Sequence, residues 1–215
     1  MRYKGIIFDL DGVICHTDRY HYQAWKETTD LAGVYFDETI NERLRGVSRT
    51  ESLDIILERA ERTYSAAEKQ ALAEKKNGRY VELLRQMTPA DLTEEVKETL
   101  DLLRQAGCKL AIGSSSRNTK LILERLGLSD FFDAVSDGTN ITHSKPHPEV
   151  FLKAAAYLGL DASDCLVVED ADAGIAAAAA GGFESAGIGQ AAANPQTTYP
   201  LQTLGALYIK ICNVR

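Results

Sequence analysis

The sequence predicts an α/β protein: a doubly wound parallel sheet with a helical domain inserted after its first strand. Three observations predict it. Short apolar runs alternate with amphipathic stretches ended by glycine after Pro89, and strands alternating with helices imply a parallel sheet covered on both faces. Residues 15–88 hold only Gly33, Gly46 and Gly78, no proline, and much Glu, Arg, Lys, Ala and Leu, as a helical block does. Before that block stands one isolated apolar run, Gly5-Ile6-Ile7, whose sheet partners must come from beyond it.

Taken in order, residues 4–10 read as a buried strand stopped by Gly12. Helices are expected over about 18–32, 38–45, 49–62 and 66–86, with the capping-box sequence Ser48-Arg49-Thr50-Glu51 opening the third. After Pro89 come a helix over 94–106 ended by Gly107, a strand over 108–113, a helix over 117–126 ended by Gly127, and a strand over 133–136. A helix over 149–158 ended by Gly159, a strand over 165–168, an Ala-rich helix over 174–180 and a strand over 185–188 follow. A last strand is expected near 207–211. The expected domains are therefore 1–14 with 89–215 as the α/β core, and 15–88 as the smaller helical unit.

Composition narrows the function. The 215 residues are 45% hydrophobic and 26% charged, with formal net charge −7, which argues against a broad nucleic-acid surface, since that takes clustered Lys and Arg. The four cysteines, Cys15, Cys108, Cys165 and Cys212, form no CxxC pair and read as reduced thiols. No run has the length of a signal segment or a membrane span, so a cytoplasmic location with no membrane partner is expected.

Chemistry-bearing residues fall where such a sheet binds ligands, beyond the carboxyl ends of its strands. They are Asp9 and Asp11 in FDLDGV, then Ser114, Ser115 and Ser116, then Lys145 in SKPHP, then Glu169 and Asp170 in VVEDADAG. Spacing of two along an extended chain would put Asp9 and Asp11 on one side. Acids converging there repel one another and favour protonation unless a cation joins them, and hard carboxylate donors suit Mg²⁺. Any one of these acids alone reads better as a turn or helix-cap residue; all four sites in register do not. Ser114, between a strand and a helix, can hold an anion with its hydroxyl and nearby N–H groups. Arg49, in the first turn of a helix, opposes the helix dipole unless an anionic ligand sits beside it.

This assembly resembles the haloacid dehalogenase superfamily of phosphotransferases over nearly the whole chain. The resemblance implies that Asp9 is the phosphoryl-accepting nucleophile and Asp11 the general acid/base. It implies that Ser114 and Lys145 complete the catalytic set, and that Mg²⁺ is held by Asp9, the Asp11 main-chain carbonyl and Asp170, with Glu169 adjacent. FDLDGVICHTDRYHYQAW, RLRGVSRTESLDIIL, KKNGRYVELL and SSSRN further look like the β-phosphoglucomutase branch, which interconverts β-glucose 1-phosphate and glucose 6-phosphate with β-glucose 1,6-bisphosphate as activating donor. That likeness implies that His21 and Lys76 assist the acid/base, that Thr17 lies at a hinge, and that Trp25, Leu44, Gly46, Val47, Ser48 and Ser52 line the sugar pocket. It assigns the non-transferring phosphate to Arg49, Ser116, Arg117 and Asn118, and counts Ser115 among the substrate-binding residues. Bland alternatives are a helix-surface role for His21 and a core role for Trp25. The partner implied is a small sugar phosphate, and a monomer is expected. A sugar-phosphate hydrolase on the same scaffold, and a silent binding protein, are the competing functions.

Overall fold

A computed structural model describes residues 2–212. Met1 and residues 213–215, the outer ends of the expected core, lie outside the described residues. Six strands form one sheet: β1 (Gly5–Phe8), β2 (Lys109–Gly113), β3 (Ala134–Ser136), β4 (Cys165–Glu169), β5 (Glu184–Gly187) and β6 (Tyr199–Pro200). Every pairing is parallel and the order is β3-β2-β1-β4-β5-β6. The order reverses between β1 and β4, and a crevice opens beyond the carboxyl ends of strands at such a reversal.

Residues of successive parity along the strands serve opposite faces, as a pleated backbone requires. Ile6, Phe8, Leu110, Ile112, Leu166 and Val168 pack with α5 (Glu94–Gln105), α6 (Thr119–Arg125) and α9 (Ala206–Cys212). Ile7, Ala111 and Val167 pack against Phe151 and Ala154 of α7 (Glu149–Leu158) and Ala177 and Ala178 of α8 (Asp172–Ala180).

Between β1 and β2 lie α1 (Asp18–Ala32), α2 (Glu38–Glu42), α3 (Arg49–Leu57) and α4 (Ala66–Leu84). They bury their own cluster around Trp25, Phe36, Ile40, Leu53 and Ile56. Tyr20 and Ala24 of α1 and Tyr80, Leu83 and Leu84 of α4 instead join the apolar cluster of the sheet. Both halves of the capping box form at α3, with Ser48 and Glu51 satisfying each other's backbone N–H.

Three expectations need correction. The third helix stops at Leu57 rather than 62, because residues 58–62, Glu-Arg-Ala-Glu-Arg, offer no large apolar side chain to bury. The second stops at Glu42 rather than 45, where the chain turns towards Gly46 at φ +75°. The segment expected as a strand at 207–211 is helix α9: Leu207 and Ile211 are buried while Ile209 is 65% exposed, which fits a period near four and not two. The sheet edge is taken by β6, whose Pro200 cannot donate a ladder hydrogen bond.

Candidate active site

The end of β1 starts the site. Asp9 leaves the strand with its N–H bonded to Val168 O at 2.9 Å, so its position is fixed by β4 next door. The strand ends at Phe8, so Asp11 lies in the following turn, where it bridges to Cys15, and not on an extended run with Asp9. Its carboxylate accepts from the Thr17 hydroxyl. Gly12 holds φ +86°, and a Cβ there would stand 2.0 Å from Asp170 Oδ2, so only glycine lets this turn meet the end of β4.

Lys145 is fully buried and its Nζ donates to Asp9 and to Glu169 Oε1. Burial lowers its pKa, but the adjacent Asp9 and Glu169 carboxylates outweigh burial and hold the ammonium charged. Glu169 Oε2 also accepts from the N–H groups of Asp170 and Ala171, both at 3.0 Å. Both oxygens of this carboxylate are therefore engaged by the protein, and Glu169 faces Lys145 from behind. Gly174 leaves room for it, since a Cβ there would approach its carboxyl group to 1.9 Å.

Carboxylate oxygens of Asp9, Glu169 and Asp170 lie within 4.8 Å of one another. Burial, then Asp9, then Glu169 push the Asp170 carboxyl up to about 8. Burial also raises Glu169 to about 7, against the opposing charge of Lys145. Asp11 rises to about 7 through burial and Asp9, with the Thr17 hydrogen bond pulling the other way. Lys145 beside Glu169 and Arg45 beside Asp170 do not bring these carboxyls back to their usual range, and a divalent cation among them would.

A second charged group has the opposite need. Arg49 opens α3, and burial and then Arg117 lower its pKa; no side-chain acceptor bonds it among the described residues. Burial and then Arg49 lower Lys76 to about 7. Lys76 Nζ lies 2.9 Å from His21 Nδ1 and sits over the rings of Trp25 and Tyr80, 5.1 and 4.3 Å from their centroids. Burial and then Lys76 keep His21 well below its usual pKa, so it is neutral and accepts at Nδ1. Arg117 repels Arg49 and Arg49 repels Lys76, and an anion beside Arg49 would relieve both repulsions.

Beyond β2, Ser114 Oγ accepts from the Ser116 N–H at 3.1 Å and Ser116 Oγ from the Asn118 N–H at 3.2 Å. Ser115 Oγ accepts from the Lys145 N–H at 3.4 Å. A cleft of about 950 Å³ gathers these residues with Leu44, Gly46, Val47, Ser48 and Ser52. Of the residues singled out from sequence, Thr17 and Glu169 alone do not line it; both are fully buried behind the residues that do. Trp25 and Leu44 do double duty, lining the cleft and packing the helical core.

Sequence reasoning passed over several residues. Arg45 bonds Asp170 at 3.3 Å and Asp18 at 3.1 Å, and a lone arginine in a turn reads from sequence as a solvated charge. Tyr80 was findable, because it lies four residues after Lys76 on the same face of α4. Ser144 Oγ donates to Glu51 Oε2 at 2.7 Å, and Asn118 Nδ2 to Asn77 Oδ1 at 3.0 Å, so two further bonds cross the cleft. Among the described residues no helix is long and apolar enough to cross a membrane.

Known proteins resemble this chain in sequence and fold. Residues 3–182 match the family model of the haloacid dehalogenase-like hydrolases. A β-phosphoglucomutase of Bacillus subtilis is 44% identical over 87% of this chain and 84% of its own. A fructose-1-phosphate phosphatase of Escherichia coli is 34% identical over 86% of this chain and 95% of its own. The structure of a β-phosphoglucomutase from Clostridium difficile superposes with TM-score 0.91 at 36% identity, covering 97% of this chain and 96% of that one. With Asp9, Ser114, Lys145 and Asp170 gathered in one cleft of a parallel-sheet protein, and the family model matching residues 3–182, the chain belongs to the haloacid dehalogenase-like hydrolase family.

Proposed function

We propose that the protein is a Mg²⁺-dependent β-phosphoglucomutase, converting β-glucose 1-phosphate to glucose 6-phosphate through an aspartyl phosphate and β-glucose 1,6-bisphosphate. The observation that carries the mutase reading is the second charged group, Arg49, Arg117 and Lys76, lining the same cleft as the carboxylates. A phosphatase needs one phosphate site; a mutase handling a bisphosphate needs two. On this reading residues 15–88 act as a cap whose α3 brings Arg49 to the distal phosphate.

The chemistry follows from the residues. An Asp9 carboxylate oxygen attacks the phosphorus of the bound donor, and the bond from phosphorus to the sugar oxygen breaks. Asp11 gives its proton to that oxygen, and a carboxyl held near 7 is matched to exchanging protons at neutral pH. In the other half-reaction the C6 hydroxyl of β-glucose 1-phosphate loses its proton to Asp11 and takes the phosphoryl group from Asp9, giving the bisphosphate, which turns round and returns its C1 phosphoryl group to Asp9 as glucose 6-phosphate leaves. Lys145 offsets charge on Asp9, while Ser114 and the N–H groups after β2 hold the transferring oxygens. Asp9, Asp170 and the Asp11 carbonyl offer the hard oxygen donors Mg²⁺ requires, and the ion would neutralise the transferring phosphoryl group. Glu169 keeps Lys145 in place. A monomer working in the cytoplasm on a small sugar phosphate fits this reading.

The test is ³¹P NMR with β-glucose 1-phosphate and catalytic β-glucose 1,6-bisphosphate. Glucose 6-phosphate as product supports the mutase. Inorganic phosphate instead supports the hydrolase, the activity named for the Escherichia coli relative.

Two further outcomes are expected. Arg49→Ala should depress mutase turnover far more than phosphorylation of Asp9 by acetyl phosphate, which has no distal phosphate. Arg49→Lys should remain impaired, because it keeps the charge and loses the planar fork. Equal loss in both reactions would tie Arg49 to the core chemistry. Separately, Mg²⁺ must displace the proton from the Asp170 carboxyl, raised to about 8. Apparent Mg²⁺ affinity should be full only well above pH 8 and fall as pH drops through 8. Calorimetry in buffers of different ionisation enthalpy should register the released protons; a pH-independent affinity would contradict the acid cluster described.

A further inference from the structure

The segment joining β3 to α7 carries Thr142-His143-Ser144-Lys145-Pro146-His147-Pro148-Glu149. Lys145 serves the reaction centre, and the two histidines have no part in the chemistry above. Their rings lie 4.6 Å apart between centroids at 36°. Donor atoms of His143, His147 and Glu149 all fall within 4.8 Å of one another. We propose that these three side chains form a second divalent-cation site, for a borderline transition ion such as Zn²⁺, on the rim of the cleft.

The donor set selects the ion. Imidazole nitrogens suit Zn²⁺, Cu²⁺ and Ni²⁺ and are poor partners for Mg²⁺, whereas the cluster around Asp9 is all oxygen. The two positions therefore sort cations by chemistry. The carboxylate is already oriented, since Glu149 accepts from the N–H groups of Thr142 at 3.1 Å and His143 at 2.8 Å. Glu149 Oε2 also lies 3.2 Å from His143 Nδ1, about the separation of two ligand atoms that share one tetrahedral Zn²⁺ at roughly 2 Å each. No protein group bonds the Nε2 of either ring among the described residues, and both histidines are exposed, so modest rotations bring the donors to the roughly 2 Å that Zn²⁺ requires. Two contacts compete: the Glu149 N–H donates to His147 Nδ1 at 3.3 Å, and Lys153 Nζ stands 2.7 Å from Glu149 Oε1. The lysine holds the oxygen that faces away from His143, leaving Oε2 towards the rings.

The place gives the site a consequence. His143 and His147 both line the cleft and bracket Ser144, which bonds Glu51, and Lys145, which bonds Asp9. An ion joining the two rings would tie down this segment, and Zn²⁺ at that position is expected to slow turnover.

The experiment uses metal-stripped full-length protein carrying Cys212→Ser, which removes an exposed thiol, with Mg²⁺ at saturating concentration. Calorimetric titration with ZnCl₂ should show one equivalent per chain that Mg²⁺ does not displace. His143→Ala and His147→Ala should each weaken it by at least about tenfold, the scale of losing a ligand or its support. Co²⁺ should give visible absorption bands that vanish in both variants. Zinc affinity unchanged in both variants, or no Mg²⁺-resistant equivalent at all, would overturn the site.

Discussion

Asp9→Asn should abolish turnover, with a loss on the order of 10⁶, the scale seen when a covalent nucleophile is removed. The fold should survive. Asparagine is isosteric, Lys145 keeps Glu169 as a partner, and the Asp9 N–H bond to β4 belongs to the backbone. The second readout is covalent: wild-type protein treated with acetyl phosphate and Mg²⁺ should carry a hydroxylamine-labile phosphate, and Asp9→Asn should carry none. A variant that still acquires such a phosphate would move the nucleophile elsewhere.

Lys145→Ala should be the most damaging substitution for the fold itself. It removes the ammonium that bonds both Asp9 and Glu169, leaving the two carboxylates facing each other. Breaking a buried charge pair typically costs about 3–5 kcal/mol. At roughly 2–4 °C per kcal/mol for a chain of this size, the melting temperature should fall by roughly 10 °C. The deficit has a pH signature. Glu169 is raised to about 7 in the folded protein, above its usual 4.5, so it takes up a proton on folding at lower pH. Without Lys145 that tendency grows, so the deficit should be largest above pH 7 and shrink as pH falls towards 5. A deficit of the same size at pH 5 and pH 8 would mean Lys145 supports the fold by packing rather than charge.

Strands β1 to β5 were legible because parallel strands buried on both faces are short continuous apolar runs, and glycines ending helices mark crossovers; the two-residue β6 was not. Position along the chain then sufficed for the site: Asp9, Ser114 and Asp170 follow β1, β2 and β4, which are neighbours in the sheet. Two kinds of feature were not legible. The ends of α2 and α3 depend on what the helices find to bury, and the acidic-basic stretch after Leu57 looks helical by propensity alone. Leu207 and Ile211 fit a strand or a helix equally over five residues, and only the burial of one face decides. Contacts between distant segments, Arg45 with Asp170 and Ser144 with Glu51, have no local signature at all.

Glu51 has one carboxylate and three donors: the Ser48 N–H at 3.0 Å, the Ser48 hydroxyl at 2.6 Å and the Ser144 hydroxyl at 2.7 Å. Parting residues 15–88 from the sheet breaks only the last, so the helix that carries Arg49 swings away with its cap intact. The other two bonds across the cleft, Arg45 to Asp170 and Asn118 to Asn77, are likewise partly exposed. Each such bond contributes about 1 kcal/mol, so the three together are worth only about a hundredfold, added to the apolar packing of Tyr20, Ala24, Tyr80, Leu83 and Leu84. Charge-assisted bonds from a guanidinium to a phosphate are each worth about twice as much. If residues 15–88 act as the proposed cap, a bound bisphosphate would hold them to the sheet more firmly than any of these three bonds does.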